Sequence, residues 1–311
     1  MLPYVLAVLV AVPVFFVLGD LGYTLLTRRR YRRWEAGIER DALGVRAGCS
    51  EFTLGEGEDG VLLIHGFGDS PAIFQRIAPA LAAKGFHCRG IRLPQHGLPM
   101  AQYLTTSAVQ WRDAVRAAIA GLRRRRRRVF VVAHSMGAAV AVEAVADPTA
   151  KVDGMALLAP LFDVSNKRSP LLPARVWFRL LDPLLLLTKY VGVLDKVDLW
   201  DQSALPIVRD DKFVPRVVIR EVFGLMDRNR KRAKEFRTPL LMILARHDLV
   251  VDNAAAERFF NDCAAQPKRL LWAEGAGHML PIDFGWEERV DQTVQFFRNI
   301  VGEPETTTLS H

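Results

Sequence analysis

Cysteine is scarce: the 311 residues hold three, Cys49, Cys88 and Cys263, far apart and without a C-x-x-C pair. An odd, scattered set excludes a disulfide framework and a thiolate metal knuckle. It predicts reduced, mostly buried thiols and a reducing compartment. Also missing are an RNA-binding signature and any regular interleaving of basic with aromatic residues, so nucleic acid is not an expected partner despite a net charge of +8. No basic stretch precedes the first apolar run and no A-x-A site follows it, which argues against a cleaved secretory signal. Acidic charge is outnumbered, 34 against 42, and the basic excess is concentrated in "RRRYRR" (Arg28 to Arg33) and "RRRRRR" (Arg123 to Arg128).

Apolar residues are plentiful, at 50% of the chain, enough for a sizeable core. Leu2 to Gly19 carries no charge and nears the ~20 residues that cross a hydrocarbon core. Asp20 interrupts it, "LGYTLLT" extends it, and the first arginine cluster follows. This predicts an uncleaved single-pass anchor over residues 1–27, with Tyr23 and Trp34 near the headgroups. The positive-inside rule puts everything after it in the cytoplasm. The competing reading is an apolar helix docked on the protein itself. A basic juxtamembrane linker with opening strands is expected over 28–59.

From residue 60 onward, short continuous apolar runs alternate with helical patterns. "GVLLIHG", "FHCRGIRLP", "RVFVVAHS", "VDGMALLAP", "TPLLMILARHD" and "KRLLWAEGAGH" read as strands, with helices between them and "WEERVDQTVQFFRNIV" as the last helix. Such alternation predicts an α/β fold whose mostly parallel sheet is covered on both faces. The core is assigned to 60–160 and 238–301, and a flexible polar tail to 302–311. Residues 161–237 are too long for a crossover and include the apolar "RVWFRLLDPLLLLTKYVGVL". They predict a mostly helical cap, whose apolar face would hold acyl chains, touch a bilayer or pack on the core.

One strand ends in "AHSMG". This is the strand-to-helix elbow G-x-S-x-G with Ala133 in place of the first glycine, and it puts Ser135 at the turn. Small residues such as Gly137 are needed where the two backbones nearly touch. Serine becomes a nucleophile only beside a histidine that takes its proton, itself oriented by a carboxylate. Asp248 and His278 follow two later strands in the order this geometry requires, with Asp252 as the reserve acid. An acyl-transfer intermediate also needs two N–H donors. Met136, after the serine, and Phe67, in "IHGFGDSP", are expected to supply them. Gly66 and Gly68 would let that loop turn and His65 would brace it. His96 is expected to be structural, and His134 points into the fold by alternation. No metal or cofactor is required.

"HGFGDSP", "LPQHGLP", "AHSMGAA", "ARHDLVVD" and "GAGHML" resemble motifs of the α/β-hydrolase superfamily, in particular its carboxylesterase, monoacylglycerol lipase and lysophospholipase branch. The resemblance spans about Gly60 to Val301. It departs at Ala133 and at "PQHG", where "PGHG" is common. It implies serine-nucleophile ester hydrolysis and a helical cap between the sixth and seventh strands. The expected function is a membrane-anchored ester hydrolase acting on a lipid-like ester. An acyltransferase or thioesterase using the same serine, or a silent membrane-tethered scaffold, is the alternative.

Overall fold

The computed structural model describes residues 1–169, 171–193 and 197–302. Of the expected tail, 303–311 lies outside the described residues. The main sheet contains β1 (Phe52–Leu54), β2 (Asp59–Ile64), β3 (Phe86–Ile91), β4 (Arg128–His134) and β5 (Gly154–Leu158). After a separate two-stranded pair, β6 (Tyr190–Gly192) and β7 (Phe213–Pro215), β8 (Leu240–Ala245) and β9 (Lys268–Ala273) complete it. The helices are α1 (Leu2–Glu35), α2 (Ile77–Ala83), α3 (Met100–Tyr103), α4 (Ala108–Arg123) and α5 (Met136–Val145). They continue as α6 (Ala174–Leu181), α7 (Arg216–Arg232), α8 (Asn253–Asp262) and α9 (Trp286–Ile300).

The sheet order is β1-β3-β2-β4-β5-β8-β9, parallel except for β1. Every residue of β2, β5 and β8 is buried, which is why those strands read as unbroken apolar runs: helices cover both faces. The chain leaves β2 toward β3 and then returns to β4 on the other side of β2. That reversal opens a crevice beyond the strand ends, where α/β sheets place their sites. The register pairs Ile64 with Ala133 and Ala133 with Leu157, so the residues just past β2, β4 and β5 meet at one edge. This is the α/β-hydrolase fold.

Four features differ from the sequence reading. First, α1 does not stop before the arginines; Arg28 to Arg33 continue the same helix to Glu35 instead of forming a linker. The segment Ala11–Glu35 is long and apolar enough to cross a membrane. Its second half is nonetheless seated on the protein: Asp20, Thr24 and Thr27 are buried at helical spacing. Second, the insertion lies between the fifth and sixth strands of the sheet, because the sheet has only one strand before β2. Third, the insertion is not all helix, since β6 and β7 form an antiparallel ribbon. Fourth, α7 belongs to the core layer. Val218, Val222, Leu225 and Met226 are buried along one face of it. Asn229 Nδ2 donates to Ala139 O at 2.8 Å and Arg228 pairs with Glu143 at 2.8 Å, both on α5. The part before α7 overhangs the site, and α7 adds Ile219, Val222 and Phe223 to the wall of a cavity that reaches Ser135.

The second arginine run lies at the far edge of the sheet from the crevice. There Arg123 pairs with Asp153 at 2.9 Å, and Arg127 and Arg128 approach Asp59 at 3.2 and 3.4 Å. All three cysteines are free and buried.

Candidate active site

β4 passes into α5 with a single residue between them. That residue, Ser135, has φ 52° and ψ −121°, strained for anything but glycine. The surroundings over-determine it. Its N–H donates to Leu158 O at 3.0 Å, and its own carbonyl accepts from Leu161 N and Ala138 N, both at 3.1 Å. Gly137 permits the turn: a Cβ there would lie 2.3 Å from Ile64 O and 2.4 Å from His65 O. No side chain fits.

His278, on the loop after β9, brings Nε2 to 2.9 Å from Ser135 Oγ. Its Nδ1 lies 2.8 Å from Asp248 Oδ2. With Nδ1–H donating to the carboxylate, Nε2 is left to accept the serine hydroxyl. Asp248 is fully buried, and its other oxygen accepts from Val250 N and Val251 N at 2.7 and 2.8 Å. Burial opposes the Asp248 charge, but His278 and these N–H groups outweigh it and hold the carboxyl below its ordinary value. Burial likewise opposes an imidazolium at His278, and the Asp248 carboxylate more than offsets it, so His278 lies above the usual histidine value.

Met136 opens α5, so its N–H has no acceptor within the helix. The Phe67 N–H makes no protein hydrogen bond among the described residues. Gly66, Phe67, Ser135 and His278 line one cavity of about 220 Å³. His65 fixes the loop: Leu93 N donates to its Nε2 at 3.0 Å, which makes Nδ1 the donor to Gly66 O, also at 3.0 Å. Burial keeps it neutral. His96 is buried against His65, Tyr103 and Trp111, and burial takes it down to about 4.

Asp252 is placed elsewhere. Its carboxylate accepts from Ala254 N at 3.1 Å, capping α8, and approaches Arg258 at 3.4 Å. The structure brings Ser135, His278, Asp248, Phe67 and Met136 together and leaves Asp252 out.

Several neighbours were invisible in the sequence. His134 Nε2 lies 3.0 Å from the carbonyl of His278, and burial takes it down to about 3, so it stays neutral and donates. Alternation along β4 gives its inward direction but not this partner. Asp283 is fully buried and gathers Gly277 N, Trp200 N and Asp201 N, tying the histidine loop to the insertion. Asp69, Asp198, Asp210 and Asp211 also line the cavity. Burial pushes Asp210 up to about 6 and Asp211 up to about 8. One oxygen each of Asp69 and Asp211 is buried without a hydrogen-bond partner. Among the described residues, no cluster of His, Cys, Asp and Glu is arranged to hold a metal ion.

A family model described as serine aminopeptidase, S33, matches residues 56–284, more than half of the chain. A thermostable monoacylglycerol lipase from Bacillus sp. (strain H-257) is 21% identical over 258 residues, covering 83% of this chain and 98% of that protein. A carboxylesterase from Bacillus subtilis (strain 168) is 20% identical over 241 residues, covering 75% and 89%. The crystal structure of a monoacylglycerol lipase from Paleococcus ferrophilus superposes with a TM-score of 0.68 at 20% identity, covering 80% of this chain and 98% of that one. That likeness is one of fold.

Proposed function

The chain belongs to the serine aminopeptidase S33 family, and from that premise we propose that it is a membrane-anchored serine ester hydrolase acting on a lipid-like monoester. One observation carries the reading: the strained Ser135 lies 2.9 Å from His278, which lies 2.8 Å from a buried carboxylate. Ser135 Oγ attacks the ester carbonyl as Nε2 of His278 takes its proton. Asp248 holds the tautomer and stabilises the imidazolium. The N–H groups of Met136 and Phe67 receive the oxyanion, each such donor contributing ~10²–10³ in rate. The imidazolium protonates the departing alcohol. Water then enters, His278 takes its proton, and the acyl-enzyme breaks to acid and free serine.

The substrate class rests on the monoacylglycerol lipase and carboxylesterase relatives and on an apolar second cavity beside Ser135. Anchoring rests on the apolar α1, and a cytoplasmic catalytic domain on the arginines that follow its apolar run. The test is hydrolysis of p-nitrophenyl esters from acetyl to palmitoyl, and of a monoacylglycerol, by wild type beside Ser135→Ala. Turnover lost in the variant is the expected result. Equal rates in both proteins would overturn the reading.

A second reading is favoured by the four aspartates in the site cavity, two of them with unpartnered oxygens. They suit a substrate with a free amino group next to the scissile bond. Faster turnover of an aminoacyl p-nitroanilide than of any ester would select it.

A further inference from the structure

We propose that α1 is more than an anchor and forms one wall of the substrate's path, so that a single-chain lipid ester passes from the bilayer to Ser135 through a portal between α1 and α6. This rests on Ser135 being the nucleophile and α1 being membrane-embedded.

Three cavities adjoin. The site cavity shares Phe67, Ser135, Arg168 and Val250 with a second of about 370 Å³. The second shares Ser169, Ala174 and Ile219 with a third of about 530 Å³. Four aspartates gather at the Ser135 end, whereas the far end is lined mainly by Trp177, Phe178, Leu181, Leu185 and Val191, its charged pair Asp182 and Arg216 being bonded to each other. That gradient suits an ester at one end and its hydrocarbon tail at the other. The far cavity is closed on one side by Tyr23 of α1.

α1 is held against this opening by polar bonds that a plain anchor does not need. Asp20 accepts from Leu187 N at 2.6 Å and from Thr188 Oγ1 at 2.6 Å, and Thr24 and Thr188 share a hydroxyl bond of 2.7 Å. Lower down, Tyr31 packs edge-on against Tyr190 and Phe213. At the height of Asp20 the insertion exposes Leu184, Leu186 and Leu187, beside the exposed Leu26 of α1. Unpartnered leucines on two adjoining elements, continuous with the apolar run of α1, are the surface expected to lie in lipid. The portal therefore opens where the tail of a lipid already is. α1 lies outside the region matched by the family model.

The experiment uses the full chain in phosphatidylcholine vesicles. Tyr23→Cys is labelled after reconstitution with a bulky maleimide; the three native thiols are buried, so labelling is selective and no folding step is perturbed. The readout is the ratio of long-chain monoacylglycerol turnover in the vesicle to p-nitrophenyl acetate turnover from solution. Labelling is expected to lower that ratio at least tenfold, while Leu25→Cys, labelled on the other face of α1, leaves it within twofold. A ratio unchanged at complete labelling of Tyr23→Cys, or equal loss of both activities, overturns the path. Acetate turnover that is absent, or identical in Ser135→Ala, removes the underlying catalytic reading and the path with it.

Discussion

Replacing Gly137 by alanine sets two measurable effects against each other. In a helix interior alanine is favoured over glycine by about 1 kcal/mol. Against this, the new methyl would sit 2.3 Å from Ile64 O and 2.4 Å from His65 O, distances no carbon sustains. The contacts are backbone, so no side chain can turn away: α5 and the end of β2 must separate by on the order of 1 Å. Forcing extra volume into a packed interior costs ~1–3 kcal/mol. Repulsion wins, and a net loss of about 1 kcal/mol lowers Tm by roughly 2–4 °C for a domain of this size. Catalysis suffers more than stability. The displaced carbonyls sit on the strand end that leads into Phe67, and a misplacement of ~1 Å in a reacting constellation costs ~10²-fold. Gly137→Ala should therefore fold, melt a few degrees early and lose about two orders of magnitude in kcat on p-nitrophenyl acetate, with KM little changed. Differential scanning calorimetry and steady-state kinetics on the same preparation check both halves. Wild-type Tm together with wild-type kcat would refute the argument, because it would mean that β2 and α5 do not meet as described.

Asp248→Asn should cost ~10⁴-fold in turnover through loss of the correct tautomer. Wild-type kcat/KM should rise with pH through a midpoint above the ordinary histidine value, since only neutral His278 accepts the serine proton and Asp248 favours the charged form. In Asp248→Asn burial is opposed by the smaller influence of Asp198 and Asp210 alone, so the residual activity should titrate lower; an upward shift would contradict the assignment. Asp252→Ala should lose about 1 kcal/mol from its cap at α8 yet keep turnover within twofold. A collapse of activity would instead make Asp252 the acid. Asp211 is pushed up to about 8 by burial, which Arg46 at 3.7 Å only partly relieves and Asp210 reinforces. The folded state thus keeps a proton that the unfolded chain gives up in the ordinary carboxylate range. Wild-type stability from this group is present at low pH and erodes as pH rises toward 8. Asp211→Asn should gain in Tm relative to wild type on going from pH 5 to pH 9, and a gain confined to pH 5 would reverse the sign of the argument.

The sequence by itself determined whatever is written in near neighbours. Unbroken runs such as Val61 to Ile64 and Leu240 to Leu244 declare strands buried on both faces, because nothing polar interrupts them. "AHSMG" declares a turn too tight for anything but small residues at Gly137. Asp248 and His278 were legible because each closes a strand, and parallel strands end at one edge. The tertiary structure alone decided how distant segments meet. Asp20 breaks an apolar run and reads as an imperfection, yet it caps the Leu187–Thr188 turn far along the chain. Asp182 interrupts a leucine-rich stretch because Arg216 and Arg220 await it across the insertion. The packing of α7 on α5, the tie from Asp283 to Gly277, and the place of Asp211 in the Ser135 cavity likewise depend on partners that no local pattern names. Hydrophobic period and turn chemistry act over a few residues. The satisfaction of a buried charge is settled only when its partner, however remote in sequence, arrives within hydrogen-bonding distance.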